Sequence, residues 1–248
     1  MKREEFVMKV VAINSSPRME KGNTALILDP LLEGMKEAGA KVELFYTSKL
    51  EVKPCLGCFG CWLKTPGICV QRDDMDWLLP KMNEADIWVF ATPLYVDGVT
   101  GPLKCLMDRI LPRVQPFFEI RKDRCRHPLR EGAKAGKFIL VSNCGFWEME
   151  NFDPLLVHMM ALCENASLDF AGALLRPHGE ALQEMAEQGA PAVGEVFQAA
   201  RKAGREIVEL GSIGEETLQT VGQELMPKEA YFQMANAHFQ ECLDALEK

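Results

Sequence analysis

Short apolar runs alternate with helical patterns through the first two thirds of the chain. Five runs have the length and composition of buried strands, and they cover residues 8–14, 41–46, 85–92, 137–143 and 168–175. Four intervening segments place apolar residues at helical spacing, over residues 24–38, 74–83, 101–113 and 154–164. Strands that alternate with helices are typical of a parallel sheet with helices on both faces.

Right-handed crossovers between these strands favour one strand order. We expect the flavodoxin-like arrangement, a three-layer, doubly wound α/β fold with five parallel strands in the order 2-1-3-4-5. After residue 176 the sequence is charged and helical, over residues 191–210, 215–225 and 227–247. No Ser/Gly-rich linker precedes these helices. We therefore predict a domain at 1–178 and a helical C-terminal extension at 179–248, which serves as an oligomer arm and not as an independent domain.

Composition and charge narrow the classes of partner. The chain has 248 residues, 48% of them hydrophobic, and a net charge of −8, which disfavours nucleic acids and anionic membranes. The N-terminal residues lack the apolar core of a secretory signal. The most apolar run, residues 87–96, is shorter than the ~20 residues that span a bilayer. We expect a cytoplasmic protein without a membrane or nucleic-acid partner. One locally basic segment, residues 120–137, is either a solvated loop or an attractant for the 2′-phosphate of NADPH.

The loop between the first strand and the first helix is short and rich in hydroxyl groups. Such a loop offers backbone N–H groups and the positive end of the helix dipole to an anion. It lacks the glycine patterns of dinucleotide and triphosphate sites, so a single phosphate, as on FMN, suits it better. Alternatively, the same side chains only cap the helix and turn the chain. The phosphate ligands in the first interpretation are Ser15, Arg18, Asn23 and Thr24.

Two motifs resemble the NADPH-dependent FMN reductases of the flavodoxin-like superfamily. The first loop contains Ser16-Pro17-Arg18 followed by Gly22-Asn23-Thr24. After the third strand, Pro93-Leu94-Tyr95 leads through a glycine-containing loop into a helix with Lys104 and Asp108-Arg109, which we interpret as ion-pairing residues. The resemblance covers about residues 8–176 and implies FMN as cofactor and NAD(P)H as co-substrate.

Two further loops at the carboxyl ends of strands are expected to complete the cofactor site, because ligands of open α/β sheets bind at that edge. A backbone N–H near Gly98 would meet N5 of the flavin, and Tyr95 either faces the ring or packs at the sheet edge. Phe146 and Trp147 either cover the flavin or belong to the core. The residues assigned to these loops are Pro93, Leu94, Tyr95, Val96, Asp97 and Gly98 in the second, and Ser142, Asn143, Cys144 and Gly145 in the third.

Four of the nine cysteines lie in one fifteen-residue window with the spacing C-x2-C-x2-C-x7-C. Thiolates this close, with Gly57 and Gly60 to let the backbone wrap, can ligate a 4Fe-4S cluster, whereas structural zinc usually takes separated pairs. The run resembles that of the iron-sulfur flavoproteins, a branch of the same superfamily. Alternatively, the cysteines are buried free thiols beside the flavin. The metal ligands in the first interpretation are Cys55, Cys58, Cys61 and Cys69.

Together these features predict an FMN-dependent NAD(P)H oxidoreductase that passes electrons to a flavin, a quinone-like compound or another acceptor, either a small molecule or a redox protein. No side chain is assigned as catalytic, because the flavin carries the chemistry. Two alternatives stay open: an iron-sulfur flavoprotein that carries electrons from ferredoxin, and a non-catalytic flavin or thiol redox sensor. The amphipathic C-terminal helices favour a homo-oligomer, a dimer or a tetramer.

Overall fold

A computed structural model describes residues 7–246. Five parallel strands form one sheet in the order β2-β1-β3-β6-β7, and two short antiparallel strands, β4 and β5, form a separate hairpin. The strand bounds are β1 Lys9–Asn14, β2 Lys41–Tyr46, β3 Ile87–Pro93, β4 Glu119–Arg121, β5 Arg124–Arg126, β6 Lys137–Asn143 and β7 Asp169–Arg176. Since β6 and β7 are the fourth and fifth strands of the sheet, the predicted flavodoxin-like order is confirmed.

Helices cover both faces of the sheet. Their bounds are α1 Asn23–Glu37, α2 Gly60–Leu63, α3 Met75–Glu84, α4 Gly101–Asp108, α5 Asp153–Ala166, α6 Gly179–Glu187, α7 Pro191–Glu209, α8 Glu215–Gly222 and α9 Lys228–Leu246. The helix predicted over 101–113 ends earlier, at Asp108, and the chain continues into a 3-10 turn at Leu111–Arg113. The sequence pattern did not predict α2, α6 or the β4–β5 hairpin.

Alternate residues of the central strand β1 enter two separate apolar cores. Val10 and Ala12 pack with α1 and α7 on one face, whereas Val11 and Ile13 pack with α3, α4 and α5 on the other. Two glycines let α1 and α7 approach closely: a Cβ on Gly34 would lie 1.9 Å from a backbone oxygen of α7. The same is true of Gly204, whose Cβ would lie 2.0 Å from a backbone oxygen of α1. The segment 191–209 therefore belongs to the main core.

The division into a domain at 1–178 and a C-terminal extension at 179–248 remains a prediction. Residues 1–6 of the first range and 247–248 of the second lie outside the described residues. Beyond α7, the last helix α9 is mostly exposed and is anchored by the buried Tyr231, whose hydroxyl donates to the carbonyl of Gly145 at 2.6 Å. Within residues 7–246 no helix is long and apolar enough to cross a membrane.

Candidate cofactor site and cysteine loop

The loop after β1 is held in place by buried polar groups. The Ser15 hydroxyl donates to the carbonyl of Ala91 in β3 at 3.1 Å, and the Ser16 N–H donates to Asn14 Oδ1 at 2.9 Å. A 3-10 turn at Met19–Lys21 then directs the chain into α1. The backbone at the N-terminus of α1 is thus fixed before any ligand binds.

One buried amide at this helix terminus has no partner. Asn23 is 1% exposed, and neither its Oδ1 nor its Nδ2 makes a hydrogen bond within residues 7–246. Leaving such a group unpaired costs about 1–3 kcal/mol. Beside it, a Cβ on Gly22 would lie 2.5 Å from Ser16 Oγ, so only a glycine leaves this space open. A free amide donor, an open cradle and a helix N-terminus together fit a phosphate.

The other two predicted phosphate ligands have protein partners. Thr24 Oγ1 donates to Asn143 Oδ1 at 2.6 Å, which ties the first loop to the third. Arg18 is exposed and pairs with Glu180 of α6 at 3.4 Å. Thr24 therefore links two loops, and Arg18 would have to leave Glu180 to reach a phosphate in the cradle.

The second loop is a closed four-residue turn. The N–H groups of Tyr95 and Gly98 donate to each other's carbonyl at 3.0 and 3.1 Å, so the Gly98 N–H, which we expected to face N5, is already bonded. Val96 and Asp97 both have left-handed backbones, at φ of 47° and 60°. Such turns usually contain Asn-Gly, and a β-branched residue is strained there. Val96 is fully exposed at 100%, so no protein contact within the described residues compensates the strain.

The third loop joins the other two at the carboxyl edge of the sheet. Asn143 accepts from Thr24 through its side chain and from the Leu94 N–H through its carbonyl at 2.8 Å. The Ser142 hydroxyl donates to the Thr92 carbonyl at 2.8 Å. The structure thus brings the three predicted loops together. Their contact with a cofactor remains a prediction.

A buried stack lies behind the third loop. Trp147 packs on His178 with ring centroids 4.3 Å apart, whereas Phe146 is exposed. Burial, followed by the nearby Arg176 charge, lowers the pKa of His178 to about 3. Cys144 is also buried, and burial raises the pKa of its thiol to about 11. Trp147 is half-buried and packs on a buried histidine, and a contact with the flavin remains a prediction.

Arg176, at the end of β7, is a residue that the sequence analysis missed. Its side chain is fully buried and donates to the carbonyls of Pro177, Val221 and Gln223 at 2.6–2.8 Å. It also bonds to His178 Nε2 at 2.7 Å. Burial lowers its pKa to about 10. Arg176 thereby fastens the end of α8 to the edge of the sheet, and no local sequence signal marks it.

The cysteine loop lies between β2 and α3. Cys55 and Cys58 are exposed, Cys69 is half-buried and Cys61 is buried at the start of α2. The backbone turns sharply at Gly57, with φ of 62°, where the absence of a side chain permits a left-handed conformation. Burial, followed by the charges of the other three thiols, raises the pKa of Cys61. The Cys61 thiol therefore lies within electrostatic range of the other three.

The donor chemistry of this loop fits an iron-sulfur cluster, but its side chains are not gathered. Four thiols on one glycine-containing loop are the ligand type that such clusters take. As they stand, no three His, Cys, Asp or Glu side chains in residues 7–246 converge on a metal position. The exposed Cys55 and Cys58 would have to turn inward to complete a ligand set. The cluster ligands remain a prediction.

One expected ion-pairing residue behaves differently from its neighbours. Lys104 and Asp108 form an exposed pair on α4 at 2.6 Å, as expected. Arg109 is instead 1% exposed and binds Asp73 through two N–H groups at 2.6 and 3.0 Å. No local pattern predicts this burial, because Asp73 lies 36 residues away.

The basic segment lies away from the predicted cofactor loops. Its hairpin packs where the strands begin: Arg126 pairs with Glu164 near the end of α5, and Lys134 pairs with Asp86 just before β3. The three loops lie at the opposite edge of the sheet. These ion pairs favour the solvated-loop interpretation, and a contact with the 2′-phosphate of NADPH remains a prediction.

The doubly wound five-stranded sheet, with a polar loop leading into α1, defines a flavodoxin-like protein. Residues 8–126 match the family model described as NADPH-dependent FMN reductase, which confirms the resemblance seen in the first two loops.

Individual relatives agree with this family. An iron-sulfur flavoprotein of Methanocaldococcus jannaschii is 43% identical over 105 residues, which cover 42% of this chain and 53% of the relative. Another from Archaeoglobus fulgidus is 44% identical over 102 residues, which cover 41% and 48%. The chain thus spans about half the length of the curated relatives it matches. An FMN-dependent NADH-azoreductase from Bacillus anthracis, solved in complex with FMN, has the same fold, with a TM-score of 0.59 and 17% identity over 83% of this chain and all of that one.

Proposed function

We propose that this protein is an FMN-dependent oxidoreductase that takes electrons from NAD(P)H. The observation that carries the proposal is the unpaired amide of Asn23, buried beside the open cradle at Gly22 and at the N-terminus of α1. The match of residues 8–126 to the FMN reductase family supports it. When bound, FMN supplies the hydride and electron chemistry.

The chain's own contribution is binding and positioning. Asn23 and the backbone at the start of α1 would hold the phosphate, and the turn at residues 95–98 would lie against the ring. The Cys144 thiol, kept neutral by a pKa of about 11, would offer neither a base nor a nucleophile. We therefore assign no catalytic acid or base.

The test is a double variant, Arg18→Ala with Asn23→Ala, measured by FMN titration. We expect FMN affinity to fall by about tenfold or more, because lost hydrogen bonds to a charged group cost about 1.5–3 kcal/mol each. Turnover of the FMN-saturated variant should stay near that of the wild type. The control is Arg205→Ala, which removes an exposed ion pair with Glu37. Unchanged FMN affinity in the double variant would contradict the phosphate assignment.

A second candidate, an electron-carrying iron-sulfur flavoprotein, is favoured by the cysteine loop. Cys55, Cys58, Cys61 and Cys69 would hold a 4Fe-4S cluster, and ferredoxin would supply the electrons. Absorption spectra of anaerobically purified protein, taken before and after NADPH is added, separate the two candidates. A flavin spectrum that bleaches supports the reductase, and an iron-sulfur shoulder with little bleaching supports the carrier. A spectrum without flavin would contradict both.

We also propose that the protein forms a homo-oligomer, acts in the cytoplasm and serves a small-molecule or redox-protein acceptor. The exposed apolar side chains of α9, Phe232, Phe239, Leu243 and Leu246, support self-association. Light scattering coupled to size exclusion measures the mass, and a monomer at micromolar concentration would contradict the oligomer. A change of mass on reduction would instead favour the redox sensor.

A further inference from the structure

The cysteine loop joins the body of the protein through a narrow neck, formed by residues 51–54 and 71–74. The Glu51 N–H donates to Asp74 Oδ2 at 2.7 Å, and the Asp74 N–H donates back to the Glu51 carbonyl at 3.0 Å. Because the two sides of the neck bond to each other, the loop is closed at its base. Farther along the loop, Trp62 Nε1 donates to the Leu111 carbonyl at 3.2 Å, while Cys55 and Cys58 are exposed.

Arg109, from the end of α4, binds both sides of this neck. One guanidinium nitrogen donates to the Lys53 carbonyl at 2.7 Å and to Asp73 Oδ2 at 2.6 Å, and the other donates to Asp73 Oδ1 at 3.0 Å. Asp73 also accepts from the Lys53 N–H at 3.0 Å. A single ion pair therefore connects the residue before the loop, the residue after it and the core helix.

This ion pair is fully removed from water. The side chains of Arg109 and Asp73 are 1% and 0% exposed. Burial lowers the pKa of Arg109, but the hydrogen bond to Asp73 and the nearby negative charges outweigh that effect, and the net direction is upward. Another buried arginine, Arg113, has no carboxylate partner, and burial lowers its pKa to about 10. Arg109 thus differs from Arg113 in that a buried carboxylate partner balances its charge.

We propose that Arg109 is the positioning residue of the cysteine loop: its ion pair with Asp73 keeps the neck closed and thereby holds Cys69, four residues before Asp73, in place for a cluster. The inference rests on the proposed iron-sulfur function. Buried charges are expensive, and well-packed apolar residues often replace them without loss of stability. A folding role alone would therefore not require the pair.

The test uses the charge-free double variant Arg109→Met with Asp73→Leu, because it leaves no unpaired charge in the interior. Hydrogen exchange of peptides from residues 51–74 is measured in the cluster-free full-length protein. We expect exchange there to rise at least about tenfold, since the neck would open by local unfolding. The control is Lys104→Met on the same helix, which removes only an exposed pair and should leave exchange unchanged.

Iron and sulfide binding provides the second readout. After anaerobic reconstitution, we expect iron affinity of the double variant to fall about 10- to 100-fold, the usual effect of removing a residue that orients metal ligands. Arg109→Lys retains the positive charge but cannot make the bidentate contact with Asp73, so its iron affinity should lie between those of the double variant and the wild type.

The outcomes distinguish the positioning role of Arg109 from the proposed iron-sulfur function. Wild-type exchange and wild-type iron affinity in a folded double variant would overturn the positioning role. If the double variant does not fold, Arg109→Lys is compared in the same way, and unchanged exchange and iron affinity there would overturn it. A wild-type protein that binds no iron would overturn the cluster function, and the exchange comparison would still decide whether Arg109 closes the neck.

Discussion

The loops after β1 and β2 begin at the same edge of the sheet but are built differently. In the first, residues 15–24, Ser15 and Thr24 are buried and bonded to neighbouring strands. The second, residues 55–70, is largely exposed and is held at its base and through Trp62, whose indole N–H donates to the Leu111 carbonyl at 3.2 Å. An anion site needs donors that are immobile before the ligand arrives, whereas a loop that wraps a cluster has to move its ligands.

Position in the sheet explains the difference. The strand β1 has a partner on each side, so its loop finds carbonyls and side chains to bond on β3 and β6. The strand β2 is an edge strand with one partner, β1. Its loop therefore depends on a side chain from a helix, Arg109.

The largest expected effect comes from Arg176, which lies at the end of β7 beside the third loop of the candidate cofactor site. Arg176→Met leaves the carbonyls of Val221 and Gln223 unpaired. We expect the free energy of unfolding to fall by about 3 kcal/mol, because bonds to charged groups contribute about 1.5–3 kcal/mol each and the orphaned acceptors are buried. Urea unfolding followed by tryptophan fluorescence measures it.

The control for Arg176 is Arg205→Met, which breaks an exposed ion pair and should cost less than about 1 kcal/mol. Hydrogen exchange within residues 51–74 should be unaffected in both variants, since Arg176 makes no hydrogen bond to that segment. A variant with wild-type stability would mean that the third loop does not depend on this arginine.

Gly22 tests the rigidity of the first loop directly. Gly22→Val places a branched side chain where even a Cβ would lie 2.5 Å from Ser16 Oγ. Overpacking of this kind costs about 1–3 kcal/mol, so we expect FMN affinity to fall by about tenfold to 100-fold. FMN titration measures the loss. Gly194→Ala, whose Cβ would meet no atom within 4 Å, should bind FMN normally. Wild-type affinity in Gly22→Val would show that the cradle is not the phosphate site.

The buried His178, which lies behind the third loop of the candidate cofactor site, is expected to make the stability of the protein depend on pH. Its pKa in the folded protein is about 3, below the ordinary value of 6.5, so the unfolded state binds the proton more readily. Stability is therefore present above pH 6.5 and declines as the pH falls from 6.5 towards 3. The slope is at most about 1.4 kcal/mol per pH unit from this group.

His178→Asn removes the titration while an asparagine tolerates the left-handed backbone, which has a φ of 41°. The difference in unfolding free energy between wild type and variant should shrink as the pH is lowered from 7 to 5. A difference that is independent of pH would show that His178 is not held neutral by the fold.

Local sequence patterns predicted most of the strands and helices but few of the side-chain contacts that hold them together. The strand over residues 137–143 has the predicted bounds, because a buried parallel strand is a continuous apolar run. The hairpin at residues 119–126 was missed, because its two strands are three residues each and mostly exposed.

The three loops of the candidate site were found because each motif is contiguous in sequence. Arg109 was predicted only as an ion-pairing residue on a helix, and Arg176 was not predicted at all, because the partners that bury them lie 36 and 45 residues away. An arginine reads as a surface residue unless a distant carboxylate or carbonyl accepts its protons. Such pairings appear only once the chain is folded.

The smallest expected effect lies in the turn at residues 95–98, where Val96 has a strained, left-handed backbone. Val96→Asn should raise the free energy of unfolding of the FMN-free protein by about 1 kcal/mol, because asparagine tolerates the left-handed conformation better than a β-branched residue. Val157→Asn, on an exposed helical valine, should change it by less than about 0.5 kcal/mol. The same Val96 variant should bind FMN about fivefold more weakly, since the apolar tip is where the ring would rest. If Val96→Asn is more stable but binds FMN as tightly as the wild type, the strained backbone has no part in FMN binding. The flavin ring would then lie at another part of the carboxyl edge of the sheet.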